Sequence, residues 1–408
     1  MNYSETKKYL TEISQEQLLR FYDELSEDGK KKLLSQIENT DFSVVKNLEN
    51  PENLSGKGEI APITGLRLSD IAARRAEFYE IGKNAILQGK VGAVLLAGGQ
   101  GTRLGFDGPK GAYNIGVTKP LYIFEQQVKN LLEVVNDVGM PVPLYIVTSE
   151  INHNATVDFW AEHNYFSYPK EYVKFFVQDT APAATKDGKV LLSEKDSIAL
   201  SPNGNGGWFS SMQKCGLLAD VQARGVEWLN TYAVDNVLQR IADPVFIGAT
   251  IACGCNCGAK VVCKAAPNEK VGVLCLEDGK PNIIEYYELT EEMANLRDEK
   301  GDLKYIYGVI LNYLFNVKQC LRVMGEKIPV HVVEKKVPYI NSDGAHVCPE
   351  APNAYKFETL ILDMVRLMDT CLPYEVEREK EFAPVQNATG TDSVESAREL
   401  LRKNAIEL

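Results

Sequence analysis

Two hydrophobic periods alternate along the chain. In residues 1 to about 50, Tyr9, Ile13, Leu18, Leu19, Tyr22, Leu25, Leu33, Leu34 and Ile37 recur at helical spacing among charged residues, and Ser26-Glu27-Asp28-Gly29 separates two predicted helices. Pro51, Gly56, Gly58, Pro62 and Gly65 mark residues 50–68 as a linker. Ser69 or Asp70 caps a third helix that runs to about Gln88 and stops at Gly89. The pattern then changes to short apolar runs. Val91 to Ala97, Pro143 to Thr148, Tyr172 to Val177, Gly225 to Val234, Lys260 to Cys263, Val271 to Leu276 and Asn282 to Tyr286 read as strands, and Pro352 to Met368 as an amphipathic helix. Strands alternating with helices predict an α/β fold with a mixed, mostly parallel sheet covered by helices on both faces. In such sheets ligands sit at the carboxyl ends of the strands. The chain divides into a helical region with linker (1–89), an α/β domain (90–372) and a small C-terminal region (373–408).

Composition narrows the classes. The 408 residues suit two or three domains, and 45% hydrophobic with 25% charged residues is a globular balance. No apolar stretch approaches the ~20 residues of a membrane span, and Met1-Asn2-Tyr3-Ser4-Glu5-Thr6 lacks a signal-peptide apolar core. We therefore expect a cytoplasmic protein with no membrane partner. The net charge of −12 argues against a nucleic-acid partner and makes any anionic substrate depend on a local basic cluster. The nine cysteines are expected to be reduced. Cys253-Gly254-Cys255-Asn256-Cys257 with Cys263 lacks zinc-knuckle spacing and reads as buried thiols. His153, His163, His331 and His346 form no ligand pattern and receive no role.

The most informative segment follows the first strand. Leu95-Leu96-Ala97-Gly98-Gly99-Gln100-Gly101-Thr102-Arg103-Leu104-Gly105 is followed by Gly108-Pro109-Lys110-Gly111. Glycines let backbone approach a ligand, exposed N–H groups near a helix start favour phosphate, and Arg103 and Lys110 add charge-assisted donors. A Walker A loop needs Gly-Lys-Ser/Thr, and a dinucleotide fingerprint needs G-x-G-x-x-G; neither spacing is present. A loop that wraps a nucleoside triphosphate is the better reading than a bare strand-to-helix turn.

Other residues leave two readings open. Asp235 after Val234 is either a Mg²⁺ carboxylate at a strand tip or a surface turn residue. Asn203-Gly204-Asn205-Gly206-Gly207 is either an Asn-Gly turn or a loop that admits a base or sugar. Gln178, after Phe175-Phe176-Val177, is either solvated or able to pair with a base edge. Lys356 either holds a phosphate or pairs with a nearby carboxylate.

The longer loop string is similar to the nucleotide loop of the UDP-sugar pyrophosphorylases, most closely the UDP-N-acetylglucosamine pyrophosphorylases, with L-A-G-G-Q-G-T-R-L-G followed by P-K-G. The resemblance extends to about Leu401 and implies a Rossmann-like nucleotidyltransferase core. By that match Leu96, Ala97, Gly98, Gly99, Gly101 and Thr102 would bind nucleotide with Gln178 and Gly204 reading uracil. Arg103 and Lys110 would be catalytic, and Asp235 would hold Mg²⁺, with Mn²⁺ able to substitute. Asn205, Gly272, Glu285, Tyr286 and Asn312 would meet the sugar, and Lys356 and Lys119 would lie near phosphate.

Two departures stand out. The family's F-A-P-L-K-N is Phe382-Ala383-Pro384-Val385-Gln386-Asn387 here, so Gln386 replaces a lysine; and two aromatic residues that would pack on an acetyl group are Leu360 and Leu362. The implied reaction joins UTP and a sugar 1-phosphate into a UDP-sugar, releasing pyrophosphate, with N-acetylglucosamine 1-phosphate the expected acceptor. The rivals are an enzyme preferring glucose or galactose 1-phosphate and a non-catalytic UDP-sugar sensor.

Overall fold

The computed structural model describes residues 1–49, 58–326 and 328–408; residues 50–57 of the expected linker lie outside the described residues. The chain forms two compact units. One combines Met1–Gly56, Asp179–Gly207 and Ile328–Ile361; the other combines Lys57–Gln178, Trp208–Lys327 and Leu362–Leu408.

The second unit is built on a ten-stranded sheet. Its strands are β1 (Ile60–Ala61), β2 (Val91–Leu96), β3 (Leu144–Thr148), β4 (Val173–Val177), β5 (Trp228–Ala233), β6 (Cys257–Cys263), β7 (Val273–Glu277), β8 (Lys280–Ile284), β9 (Tyr307–Asn316) and β10 (Cys371–Glu375). The order β1-β7-β9-β5-β2-β3-β4 joins a parallel half, β5-β2-β3-β4, to strands paired antiparallel through β9. Every residue of β2 and β3 is buried, which explains why these strands read as unbroken apolar runs. Because β2, β3, β4 and β5 run the same way, their carboxyl ends share one edge.

Helices lock this sheet. Leu68–Leu87 begins where Asp70 accepts from the Arg67 N–H at 2.9 Å, and it ends at Gln88. It crosses Pro244–Ala252 at two glycines: a Cβ on Gly82 would stand 1.8 Å from the Pro244 carbonyl oxygen, and one on Gly248 would stand 1.7 Å from that of Phe78. The two backbones therefore meet where only glycine leaves room.

The expected boundaries at 89 and 372 do not coincide with the two units. Phe78, Ala85 and Ile86 of the third helix, and Val394, Ala397 and Leu401 of the C-terminal helix Val394–Lys403, share one core with the strand residues Ala93, Leu95 and Ile146. β10 pairs in parallel with β6, so residues 373–408 are not a separate region.

The first unit packs Leu10, Leu18, Phe21, Leu33 and Ile37 against Ala181, Val190, Leu192, Ile198 and Phe357. Tyr3–Glu12 is capped by Asn2, and Glu27–Asn39 by Ser26, whose hydroxyl accepts from Gly29 N–H at 3.1 Å. Ser26 thus starts the second helix and Gly29 lies inside it. The stretch between the helices is made of short 3₁₀ turns.

The helix expected over 352–368 is also corrected. Ala354–Glu358 is a strand paired antiparallel with His331–Lys335, and helix occupies only Ile361–Leu367. Tyr355 and Phe357 suit a pleated surface, and the distant partner strand decides the matter.

Candidate nucleotide site

The carboxyl edge of the parallel half gathers three sequence-predicted site features and one further strand end. The glycine loop leaves β2 at Leu96, Thr148 ends β3, Gln178 follows β4 directly, and Asp235 lies just beyond β5. The loop closes on itself: Gly101 N–H donates to Gly108 O at 2.9 Å, and Lys110 N–H to Gly99 O at 3.1 Å. Gly98 lies against Gln178, since a Cβ there would stand 2.7 Å from Nε2. The Gln178 N–H continues the sheet by donating to Thr148 O at 2.8 Å.

The loop meets Asp235 through Lys110. Lys110 Nζ is 3.8 Å from Asp235 Oδ2 and 3.4 Å from Gln386 Oε1, while Gln386 Nε2 donates to Asp235 Oδ2. Burial pushes the Lys110 ammonium below the usual lysine range; Asp235 opposes that shift and Arg103 adds to it. The segment 383–386 delivers the glutamine. Val385 N–H donates to Asp235 O at 2.9 Å, and Ala383 N–H to Asn236 Oδ1 at 2.9 Å. Arg103 is exposed, and its side chain makes no ion pair or hydrogen bond with the described residues.

Buried amides that no motif announces hold both loops. Asn152, fully buried, donates to Ala97 O at 2.9 Å and Gly99 O at 3.2 Å, and accepts from Ser149 N–H at 2.8 Å. Gln127 Nε2 lies 3.0 Å from Ala233 O, 2.9 Å from Val234 O and 3.2 Å from Asn236 O. Gln239 Nε2 donates to Ala233 O at 2.7 Å and Asn236 O at 3.0 Å. These amides occupy main-chain carbonyls on both sides of Asp235, so the carboxylate sits on a braced turn. In the sequence these Asn and Gln residues stand beside other polar residues (Gln126, His153, Arg240), with no spacing that distinguishes them from surface positions.

Asn312 is fully buried, accepting from Asn230 Nδ2 at 2.8 Å and donating to Gln239 Oε1 at 3.2 Å. Its amide is spent inside the strand network, and a sugar would have to displace one of these partners. Lys119 is exposed and pairs with Glu407 at 2.6 Å, so nothing in its surroundings ties it to the nucleotide loop. Glu285 caps the turn Tyr286–Glu288, and Tyr286 stands partly exposed beside Tyr287. Gly272, just before β7, sits beside Ile283 and Val309.

The remaining candidates need separate placement. Leu362 opens the last segment of the second unit, in helix Ile361–Leu367. Gly204, Asn205, Lys356 and Leu360 belong to the first unit. Gly204 has φ +87° and would bring a Cβ within 2.1 Å of Thr359 O, so glycine is required there. Asn205 Oδ1 accepts from Ile361 N–H at 2.9 Å, tying this loop to 359–361. Lys356 is half-buried in its strand, opposite Val333.

Among the described residues no cluster of three or more His, Cys, Asp or Glu side chains could cage a metal. Asp235 offers a single carboxylate at a loop tip, which fits a hard divalent cation held largely by water and substrate phosphates. All nine cysteines are unpaired; Cys257 is buried, but Cys253 is exposed and Cys255 and Cys263 only partly covered, correcting the expectation that this cluster is buried throughout.

The chain is similar over most of its length to several proteins. A human UDP-N-acetylhexosamine pyrophosphorylase-like protein 1 is 37% identical over 96% of this chain and 82% of its own length. The UDP-N-acetylglucosamine pyrophosphorylase of Saccharomyces cerevisiae is 36% identical over 97% of this chain and 88% of its own. The crystal structure of the uridine diphosphate N-acetylglucosamine pyrophosphorylase from Trypanosoma brucei superposes with a TM-score of 0.81 at 26% identity, covering 97% of this chain and 83% of that one. The profile of one nucleotidyltransferase family matches residues 63–406, a span that contains the whole strand-tip cluster, and the chain belongs to that family, the UTP–glucose-1-phosphate uridylyltransferases.

Proposed function

We propose that the protein transfers the uridylyl group of UTP to N-acetylglucosamine 1-phosphate, giving UDP-N-acetylglucosamine and pyrophosphate. The observation that carries this reading is the convergence of the glycine loop, Lys110 and Asp235 on one sheet edge, in a chain similar over nearly its whole length to enzymes named for this product. The acceptor is a phosphate monoester, already anionic at neutral pH, so no general base is required. What the protein must supply is alignment and neutralisation of charge on the triphosphate.

In this reading the N–H groups of 98–102 and the side chains of Arg103 and Lys110 bind the phosphates, and Lys110 follows the charge onto the leaving pyrophosphate. Gln178 pairs with the uracil edge, with Gly204 approaching the base. Asn205, Gly272, Glu285, Tyr286 and the leucines 360 and 362 serve the sugar. Pyrophosphorylases of this kind generally use a divalent metal. We assign Mg²⁺ to Asp235, with Mn²⁺ as substitute; when bound it neutralises phosphate charge as a Lewis acid.

No helix among the described residues is long and apolar enough to cross a membrane, and the unpaired cysteines suit a reducing compartment such as the cytoplasm.

The test is pyrophosphate release from UTP and Mg²⁺ with a panel of sugar 1-phosphates. N-acetylglucosamine 1-phosphate should be the best acceptor. Glucose 1-phosphate should be used detectably, because leucine in place of an aromatic residue at 360 and at 362 offers less contact, and one small apolar group is discriminated by only about 1–3 kcal/mol. Preference for glucose 1-phosphate overturns the sugar assignment, and no release with any sugar overturns the reaction.

A further inference from the structure

Gln386 stands between the two charged groups of the nucleotide site. Its Nε2 donates to Asp235 Oδ2 while its Oε1 lies 3.4 Å from Lys110 Nζ. An amide can satisfy a carboxylate and an ammonium together in one orientation only, nitrogen to the carboxylate and oxygen to the ammonium, and this is the orientation found. Lys110 is thereby held 3.8 Å from Asp235, farther than a direct charge-assisted bond of ~2.8 Å. The glutamine is itself fixed from the backbone: its N–H donates to Asp392 O at 2.7 Å, and Val385 N–H donates to Asp235 O at 2.9 Å. A neutral spacer has thus been placed by main-chain bonds between a half-buried lysine and a half-buried aspartate.

Closure of Lys110 onto Asp235 would consume both charges. The carboxylate would lose much of its attraction for a cation, and the ammonium much of its attraction for phosphate. We propose that Gln386 is a positioning residue that keeps Lys110 and Asp235 apart, reserving Lys110 for the triphosphate and Asp235 for the divalent metal. Its neutrality matters as much as its reach: where the family carries a lysine, this glutamine donates to Asp235 and turns an acceptor towards Lys110 at the same time, which an ammonium has no acceptor to do.

This rests on the uridylyltransferase reading, and the test separates the two. Binding of UTP to the full chain is measured by calorimetry twice, with chelator and with Mn²⁺ in excess over nucleotide, without any sugar phosphate. The ratio of the two dissociation constants is the gain due to metal. In Gln386→Lys the metal-free binding should tighten and the gain should fall by about tenfold, the scale of one added unit charge near a partly screened site. In Gln386→Leu, which removes the spacer without adding charge, the gain should also fall but metal-free binding should weaken. In Gln386→Glu the gain should rise. Thermal unfolding of each variant confirms a folded protein. A gain unchanged within about twofold in both Gln386→Lys and Gln386→Leu overturns the proposal, as does a wild type with no gain at all. Failure of the functional reading is seen separately, as no pyrophosphate release from the wild type.

Discussion

The chemistry at the strand tips comes down to a few side chains whose environments differ. Lys110 is buried enough that its ammonium lies below the usual lysine range, so its charge is lost at lower pH than that of an exposed lysine, ~10.4. In the proposed reading, loss of that charge removes a phosphate donor. kcat/KM for UTP should therefore fall on the alkaline side below that value, and Lys110→Arg, which keeps its charge, should move the fall to higher pH; an identical alkaline limb in both proteins would take Lys110 out of the phosphate site. Gln178 makes a different prediction. It follows β4 directly and lies against Gly98, where its amide can select a base edge. Gln178→Ala should narrow the preference for UTP over CTP, an unpaired edge costing about 1–3 kcal/mol. Comparing kcat/KM for the two nucleotides checks it, and an unchanged ratio would place Gln178 elsewhere.

At the scale of elements, the site is a set of loops braced by buried amides. Asn152 precedes the helix His153–Glu162 and reaches back to two carbonyls of the glycine loop. Asn152→Asp keeps the shape but replaces a donor with a second acceptor facing those carbonyls. It should cost stability on the order of 1–3 kcal/mol and lower kcat more than it changes the fold. Denaturant unfolding together with steady-state kinetics measures both, and full activity would mean the loop does not depend on this brace. The loop itself was legible in the sequence because its glycines and cations are consecutive. β2 and β3 were legible because burial on both faces leaves a nearly unbroken apolar run, whereas β4 and β5, interrupted by Lys174 and by Asn230 and Thr231, were read from the β-favouring aromatic and branched residues around them. The braces were not, since Asn152, Gln127 and Gln239 acquire meaning only from carbonyls brought to them by the fold. The strand Ala354–Glu358 was misread for a related reason: its partner, His331–Lys335, lies far back in the chain, and local periodicity cannot report it.

For the whole molecule, sequence order conceals how the units are assembled. The smaller unit is drawn from three separated segments, and the C-terminal helix returns to the core of the larger one. Contiguous boundaries at 89 and 372 follow composition, whereas the fold follows burial. The net charge of −12 adds a constraint at the same scale. A polyanionic nucleotide must approach a chain of like charge, and in the proposed reading Arg103, Lys110 and a bound cation would carry the local attraction. The central claim is that this cluster transfers a uridylyl group rather than only binding a UDP-sugar. The most direct measurement is incorporation of labelled pyrophosphate into UTP from UDP-N-acetylglucosamine and Mg²⁺, in the wild type and in Asp235→Ala. We predict labelled UTP from the wild type and a loss of about 10²–10³ or more in the variant, with its fold intact. Binding of UDP-N-acetylglucosamine without any labelled UTP, or equal exchange by both proteins, would contradict the account.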